Sequence, residues 1–163
     1  LENPNSVMTL TLMGSPGITP THKSAADLYR EKTGRWYDDV RTRADFDASL
    51  NMAMNQQPWM PKSVRNYLAD QRIEQNKAYM EILTLVRLGP MLNDRLSAIK
   101  VPTFVVWGSA DKLFDASLAD EYLRVIPGAR KLIIPELGHV PYLERPEELA
   151  EDYMSFLRKF GRH

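Results

Sequence analysis

The length, composition and charge of this chain restrict the classes of function that it can have. Its 163 residues suffice for about one domain with a buried core, and 44% hydrophobic with 26% charged residues is ordinary for a globular protein. Because 21 Lys and Arg balance 21 Asp and Glu, no charge excess points to a nucleic-acid partner, and no apolar run approaches the length of a membrane span. Cysteine is absent, which excludes disulfides and thiolate metal sites.

The first predicted strand covers residues 7–13 and stops at the turn signal Gly-Ser-Pro-Gly of residues 14–17. From about residue 19 to residue 97 the composition shifts to Met, Gln, Asn and Arg, and apolar residues recur at helical spacing. The clearest stripes are Phe46, Leu50 and Met54; Val64, Leu68 and Ile73; and Met80, Leu83 and Val86. We expect a mostly helical segment, in which Asp45 caps one helix and Pro61 begins the next.

Strands and helices alternate after Pro102. Residues 103–107 form a short, continuous apolar run, which is typical of a strand covered on both faces, and residues 131–134 form a second buried strand. Asp115 is a favourable N-cap for the helix between them, and Pro146 suits the first position of the last helix. The predicted inner face of that helix is Leu149, Tyr153, Phe156, Leu157 and Phe160. This order favours a parallel sheet with right-handed crossovers.

Two residues with acid–base chemistry follow these two strands. Asp111 comes four residues after Trp107, and His139 comes five residues after Ile134. Because sites in open α/β sheets lie beyond the carboxyl ends of the strands, both side chains should lie at the same edge. Taken alone, Asp111 is typical of a turn and His139 of a loop. Together they predict an acid that orients an imidazole, in the chain order of one class of Ser-His-Asp enzymes.

Glycines next to both residues suit such a site. Gly108 lets the chain turn sharply after the first strand, and Gly138 is expected to leave space beside the imidazole. The sequence contains no glycine-rich phosphate loop and no His-Glu-x-x-His zinc motif. We therefore expect neither a cofactor nor a metal.

Two segments resemble the back half of an α/β-hydrolase. They are Ile99-Lys-Val-Pro-Thr-Phe-Val-Val-Trp-Gly-Ser-Ala-Asp111 and Ile134-Pro-Glu-Leu-Gly-His139-Val-Pro-Tyr-Leu-Glu-Arg-Pro-Glu-Glu148. This family carries an acid after its seventh strand and a histidine after its eighth, so the resemblance implies those catalytic roles for Asp111 and His139. Residues 7–13 then resemble the sixth strand. Residues 43–47, 57–61 and 64–68 resemble the caps of bacterial lipase-like esterases.

The resemblance implies a partial α/β-hydrolase fold, with the last three parallel strands, their flanking helices and a helical cap insertion. Residues 1–18 would supply a core strand, residues 19–97 the cap, and residues 98–163 the core that carries the acid and the histidine. Val140 and Leu113, next to these positions, would contact the substrate.

The nucleophile of the family is missing from the sequence. The G-x-S-x-G elbow and the oxyanion loop should both precede residue 7, and neither is present. Ser15 is a poor substitute, because Pro16 follows it and has no N–H to help hold an oxyanion. The resemblance therefore implies the C-terminal portion of a serine hydrolase that acts on a small-molecule carboxylic ester. Its nucleophile would lie on a missing N-terminal half, and we expect this chain alone to be inactive.

Other interpretations use the same residues. Asp111 and His139 would also suit a carbon–carbon bond hydrolase, an epoxide hydrolase or a dehalogenase, and a non-catalytic fragment or assembly module is the alternative from another class. Without a fifth strand, residues 7–13 would present an unpaired edge. We therefore expect a homo-oligomer through these residues, preferably a symmetric dimer, or a complex with a complementary N-terminal fragment. We also expect a cytoplasmic location.

Overall fold

Three parallel strands form the sheet in a computed structural model that describes residues 6–160. The strands are β1 (Leu10–Met13), β2 (Thr103–Gly108) and β3 (Arg130–Ile134), and they lie side by side in chain order. In the register, Leu10 faces Thr103 and Gly108 faces Ile134. The carboxyl ends of the three strands therefore meet at one edge of the sheet, as the sequence predicts for the segments that follow them.

The first strand is shorter than predicted. Residues 7–9 lie outside β1, and Val7 is 43% exposed. The limit comes from β2, whose first residue, Thr103, follows Pro102. The Leu10 N–H binds the Pro102 carbonyl at 3.0 Å, and the chain before Pro102 leaves the sheet, so residues 7–9 have no strand to pair with.

Four helices connect β1 to β2: α1 (Ala25–Thr33), α2 (Arg43–Ala53), α3 (Lys62–Glu74) and α4 (Asn76–Arg87). The prediction that Asp45 caps α2 is wrong by three residues. Thr42 is the N-cap and accepts the Asp45 N–H, while the Asp45 carboxylate binds the Thr42 N–H in a capping box. Pro61 likewise precedes α3 as its N-cap residue instead of occupying the first helical position.

Three more helices follow β2: α5 (Leu118–Val125), α6 (Pro141–Glu144) and α7 (Pro146–Phe160). Pro146 begins α7, as predicted, whereas the short α6 was not predicted. Asp115 is not the N-cap of α5, since Ser117 holds that position. The Asp115 carboxylate instead accepts the Ser117 N–H at 2.9 Å, which stabilises the turn that leads into α5.

The core lies on both faces of β2, all of whose residues are buried, as its continuous apolar run predicts. On one face Val105 and Trp107 pack against α5, with Leu118 and Tyr122 buried beside them. On the other face Phe104 and Val106 pack against α7. The predicted inner face of α7 is confirmed there: Leu149 and Phe156 are buried, and Tyr153, Leu157 and Phe160 pack around them. The prediction that residues 131–134 form a buried strand is wrong in part, because Lys131 is exposed and only Ile134 of these four residues is fully buried. The strand also begins one residue earlier, at Arg130.

The helices between β1 and β2 have a much smaller apolar core, formed by Val40, Phe46 and Ala69. Ion pairs join their surfaces instead. Arg43 binds Asp70 through two nitrogens at 2.7 Å each, which ties α2 to α3. The predicted apolar stripe of α4 does not reach a core, since no residue of α4 is buried and Val86 is 63% exposed.

No helix within residues 6–160 combines the length and the apolar composition that crossing a bilayer requires.

We predict that Phe156→Ala lowers the free energy of unfolding by about 3–5 kcal/mol, because Phe156 is buried and stacks on Phe104 with ring centroids 5.0 Å apart. Chemical denaturation measures the change. Met154→Ala is the control on the same helix, since Met154 is 47% exposed, and its effect should stay within about 0.5 kcal/mol. Equal losses in the two variants would contradict the assignment of the core to this face of α7.

Candidate active site

Asp111 and His139 lie together beyond the carboxyl ends of β2 and β3. The Asp111 Oδ2 atom is 3.0 Å from the His139 Nδ1 atom. The Asp111 side chain is fully buried, while 22% of the His139 side chain is exposed. Because a carboxylate can only accept, Nδ1 is the protonated nitrogen of the neutral ring, which leaves Nε2 free to accept a proton. The proximity that the sequence predicts is therefore observed.

The loop after β2 fixes the acid in place. The Asp111 Oδ1 atom accepts the backbone N–H of Leu113 at 2.8 Å and that of Phe114 at 3.0 Å. With His139 on the other oxygen, the buried carboxylate has three hydrogen-bond donors, which compensate for its removal from water. The Phe114 ring also packs on the imidazole, with centroids 5.3 Å apart. The carboxylate and the imidazole are each held on two sides.

Backbone hydrogen bonds join the two loops directly. The Ser109 N–H binds the Ile134 carbonyl at 3.0 Å, and the Ala110 N–H binds the Leu137 carbonyl at 2.9 Å. In return the Glu136 N–H binds the Ser109 Oγ atom at 3.0 Å. These bonds fix the separation of the two loops, and with it the separation of the acid and the imidazole.

The glycine beside the imidazole is Gly14, not the predicted Gly138. A Cβ atom on Gly14 would lie 2.8 Å from His139 Nδ1, and Gly14 has a φ of +50°. The prediction that Gly138 leaves this space is wrong. A Cβ atom on Gly138 would instead lie 2.7 Å from the carbonyl oxygen of Ala53, the last residue of α2. The loop after β1 therefore forms one wall of the site.

The remaining predicted residues lie near the pair. Leu113 is 5% exposed and contributes its backbone N–H to Asp111, and Val140 is the half-buried residue before α6. Ser15 follows Gly14, but its hydroxyl contacts the Met13 carbonyl at 3.4 Å, and no hydrogen bond within residues 6–160 joins it to His139. Substrate contacts by Leu113 and Val140 stay a prediction.

One further residue of the site was missed. Glu144 ends α6, and its carboxylate accepts the backbone N–H of Gly138, the residue before His139, at 2.8 Å. The sequence signal for Glu144 was Pro141, which begins a short helix two residues after His139.

Among residues 6–160, no three His, Asp or Glu side chains lie close enough together to hold a metal.

A parallel sheet with an acid–histidine pair at its carboxyl edge defines a class of hydrolase. Residues 6–152 match the Alpha/beta hydrolase family, and the chain belongs to that family.

Similar proteins are lipases and a phospholipase. Lipase 1 of Psychrobacter immobilis is 29% identical, over 94% of this chain and 49% of its own length. Monoacylglycerol lipase abhd6-B of Xenopus laevis is 30% identical, over 99% of this chain and 52% of its own. The crystal structure of a membrane phospholipase A, a bacterial virulence factor, superposes with a TM-score of 0.92 at 29% identity, over 98% of this chain and 52% of that one. The chain spans about half the length of each of these proteins.

We predict that Gly14→Ala displaces the imidazole from Asp111. The added Cβ atom would collide with His139 Nδ1, and the left-handed backbone adds about 1–2 kcal/mol of strain. The NMR signal of the Nδ1 proton should weaken or vanish.

Gly34→Ala is the matched control for this change. Gly34 also has a left-handed backbone, with a φ of +69°, but within residues 6–160 no atom beyond its own chain neighbours lies within 4 Å of the position that a Cβ atom would take there. Both variants should acquire similar backbone strain, and only the first should alter His139. An unchanged imidazole signal in Gly14→Ala would contradict the contact.

Proposed function

We propose that this chain is the C-terminal portion of a serine hydrolase that cleaves small-molecule carboxylic esters, with the nucleophile supplied by an N-terminal half. One observation carries the proposal: a fully buried Asp111 carboxylate contacts Nδ1 of a partly exposed His139. General base catalysis by histidine requires this arrangement, in which a buried acid binds one ring nitrogen and the second nitrogen can accept a proton.

In the proposed reaction, His139 accepts the proton of an upstream serine hydroxyl through Nε2 as the serine attacks the ester carbonyl. Asp111 stabilises the resulting imidazolium and keeps the ring oriented. His139 then gives the proton to the departing alcohol. Water repeats the sequence on the acyl-enzyme and releases the carboxylic acid.

The helices between β1 and β2 would act as the cap over the site. The C-terminal end of α2 lies on this part of the chain and contacts the loop that carries His139. The His139 N–H binds the Ala53 carbonyl at 2.8 Å, so the cap and the histidine loop are in direct contact. Such a cap would shape the acyl pocket and exclude water. The names of the lipase relatives support an ester as the substrate class.

Hydrolases of carbon–carbon bonds, epoxides or haloalkanes remain the alternative within the family. The same acid and histidine would serve them, and the residue at the nucleophile elbow separates two of these groups from the ester hydrolases. An aspartate there would favour epoxides or haloalkanes, and a serine would favour esters or carbon–carbon bonds.

We predict that the 163-residue chain alone does not hydrolyse a short-chain aryl ester above background, because its sequence contains no G-x-S-x-G elbow to supply the proposed nucleophile. Turnover that disappears in Ser15→Ala would contradict this and restore Ser15 as the nucleophile.

With the N-terminal half present, Asp111→Asn should lower kcat by about 10⁴-fold, because the amide favours the wrong imidazole tautomer. Asp115→Asn is the control four residues away, since asparagine caps a turn as well as aspartate does. A loss below about tenfold in Asp111→Asn would remove Asp111 from the proposed machinery.

We also propose that the N-terminal half docks along β1. The Leu10 and Gly14 N–H groups bind β2, so the alternation of a parallel ladder turns the Thr11 and Met13 N–H groups to the other side. No strand within residues 6–160 pairs with that side. A groove of about 790 Å³ runs beside it, and its apolar lining includes Val7, Leu10, Leu12, Leu92, Ile99 and Tyr122. A partner that covers this apolar surface would also pair the free edge.

Hydrogen exchange at alternate residues of β1 tests this docking. Leu12 should be protected in every state, while Thr11 and Met13 should become protected only in the complex. Sedimentation of the chain identifies the partner: a dimer with protected Thr11 and Met13 would favour a second copy over the N-terminal half. A stable monomer with both amides protected would contradict any docking at this edge.

A further inference from the structure

The Glu144 carboxylate receives three backbone N–H groups from two separate parts of the chain. Its Oε1 atom accepts the Gly138 N–H at 2.8 Å. Its Oε2 atom accepts the Asn55 N–H at 2.9 Å and the Gln56 N–H at 2.6 Å. Gly138 directly precedes His139, and residues 55–56 follow α2. One side chain therefore joins the histidine loop to the cap.

Other contacts along the same seam have the same two partners. The His139 N–H binds the Ala53 carbonyl at 2.8 Å, and the Asn55 side-chain amide donates to the Glu136 carbonyl at 2.8 Å. The two backbones approach so closely at Gly138 that a Cβ atom there would lie 2.7–2.9 Å from the Ala53 carbonyl oxygen, Glu144 and the Asn55 nitrogen. The imidazole is thus attached to a loop whose position depends on the cap.

A carboxylate is the one side chain that satisfies this arrangement. Both Glu144 oxygens face N–H donors, and hydrogen bonds to an ionised acceptor are about twice as strong as neutral ones. A glutamine would present its own NH₂ group to at least one of the donors and leave that donor unsatisfied. The next residue makes a further bond between the same two parts of the chain, because the Arg145 Nε donates to the Gln56 side-chain oxygen at 3.2 Å.

We propose that Glu144 is a positioning residue, which holds His139 against Asp111 by fastening the histidine loop to the cap segment after α2. The inference rests on the proposed function for its significance to catalysis, but not for its geometry. It implies that the imidazole is oriented for proton transfer only while the cap is docked, so that release of the cap segment also loosens the acid–histidine pair.

The test compares Glu144→Gln with Glu147→Gln in the full 163-residue chain. Glu147 is an exposed glutamate at the start of α7, so its variant makes the same change of charge away from the seam. Amide hydrogen exchange reports on the seam, and the ¹⁵N chemical shifts of the imidazole report on which ring nitrogen carries the proton. Neither measurement requires turnover, so a protein that fails to cleave esters can still pass or fail this test.

In Glu144→Gln we expect the amides of Asn55, Gln56 and Gly138 to exchange about tenfold faster or more, as loss of a charge-assisted hydrogen bond requires. The neutral His139 ring should also lose its preference for the proton on Nδ1. Glu147→Gln should change neither. Faster exchange with an unaltered imidazole would overturn the proposal, because Glu144 would then fasten the cap segment without positioning His139. No change in either measurement would overturn the fastening as well as the positioning.

Gly138→Ala tests in a second way whether the position of His139 depends on the cap segment. It keeps the Glu144 carboxylate but forces the cap segment away from the histidine loop, so it should alter the imidazole in the same direction. If Glu144→Gln does not fold, Glu144→Asp takes its place, since its shorter carboxylate keeps the charge and cannot reach both segments. An imidazole that stays on Asp111 in Gly138→Ala would contradict the dependence of His139 on the cap.

Discussion

The arrangement of the site depends on the close contact of two loops at Gly108, the last residue of β2. A Cβ atom there would collide with the carbonyl oxygens of Leu137 and Gly138. Without a side chain at this position, the loop that carries Asp111 lies directly on the loop that carries His139. The backbone hydrogen bonds between the loops, the burial of the acid and its contact with the imidazole all require this approach. Any larger residue at position 108 would force the two loops apart and so separate Asp111 from His139.

The sheet and the acid–histidine pair could be predicted because each depends on local sequence. A continuous apolar run is sufficient to indicate a strand buried on both faces, and β2 fits that pattern at every position. The edge at which Asp111 and His139 meet follows from the common direction of parallel strands. The N-cap residue of α2 lies three residues before the predicted one, because Thr42 and Asp45 are both good capping residues and form a capping box together.

The rest of the site could not be predicted because it depends on contacts between distant segments. Glu144 and Asn55 are separated by 89 positions, and no periodicity or spacing in the sequence relates them. Gly14 contacts His139 across the sheet edge, which only the finished topology brings together. The length of β1 also depends on a distant segment, because its pairing begins at Pro102, the residue before β2. Local sequence pattern thus specifies where the acid and the imidazole lie, and tertiary contacts specify which groups hold them in place.

The sheet and the helices between β1 and β2 are stabilised by different forces. Large apolar side chains cover both faces of β2, whereas ion pairs and cation–π contacts join these helices. The guanidinium groups of Arg30 and Arg87, for example, each lie 3.9 Å from the ring centre of Trp36. Exposed ion pairs contribute less than buried apolar area, and salt screens them. The stability of the helices between β1 and β2 should therefore respond more to ionic strength than that of the sheet.

The end of α2 touches the loop that carries Asp111 and the loop that carries His139, which has a consequence for protein engineering. The Lys112 ammonium, next to the acid, binds the Asn51 carbonyl at 3.0 Å, and residues 53–56 bind the histidine loop. A chimera that borrows the cap of a relative to acquire new selectivity would import its own version of this segment. The junction should therefore be cut so that residues 51–56 stay with the sheet, even though they lie within the predicted cap of residues 19–97.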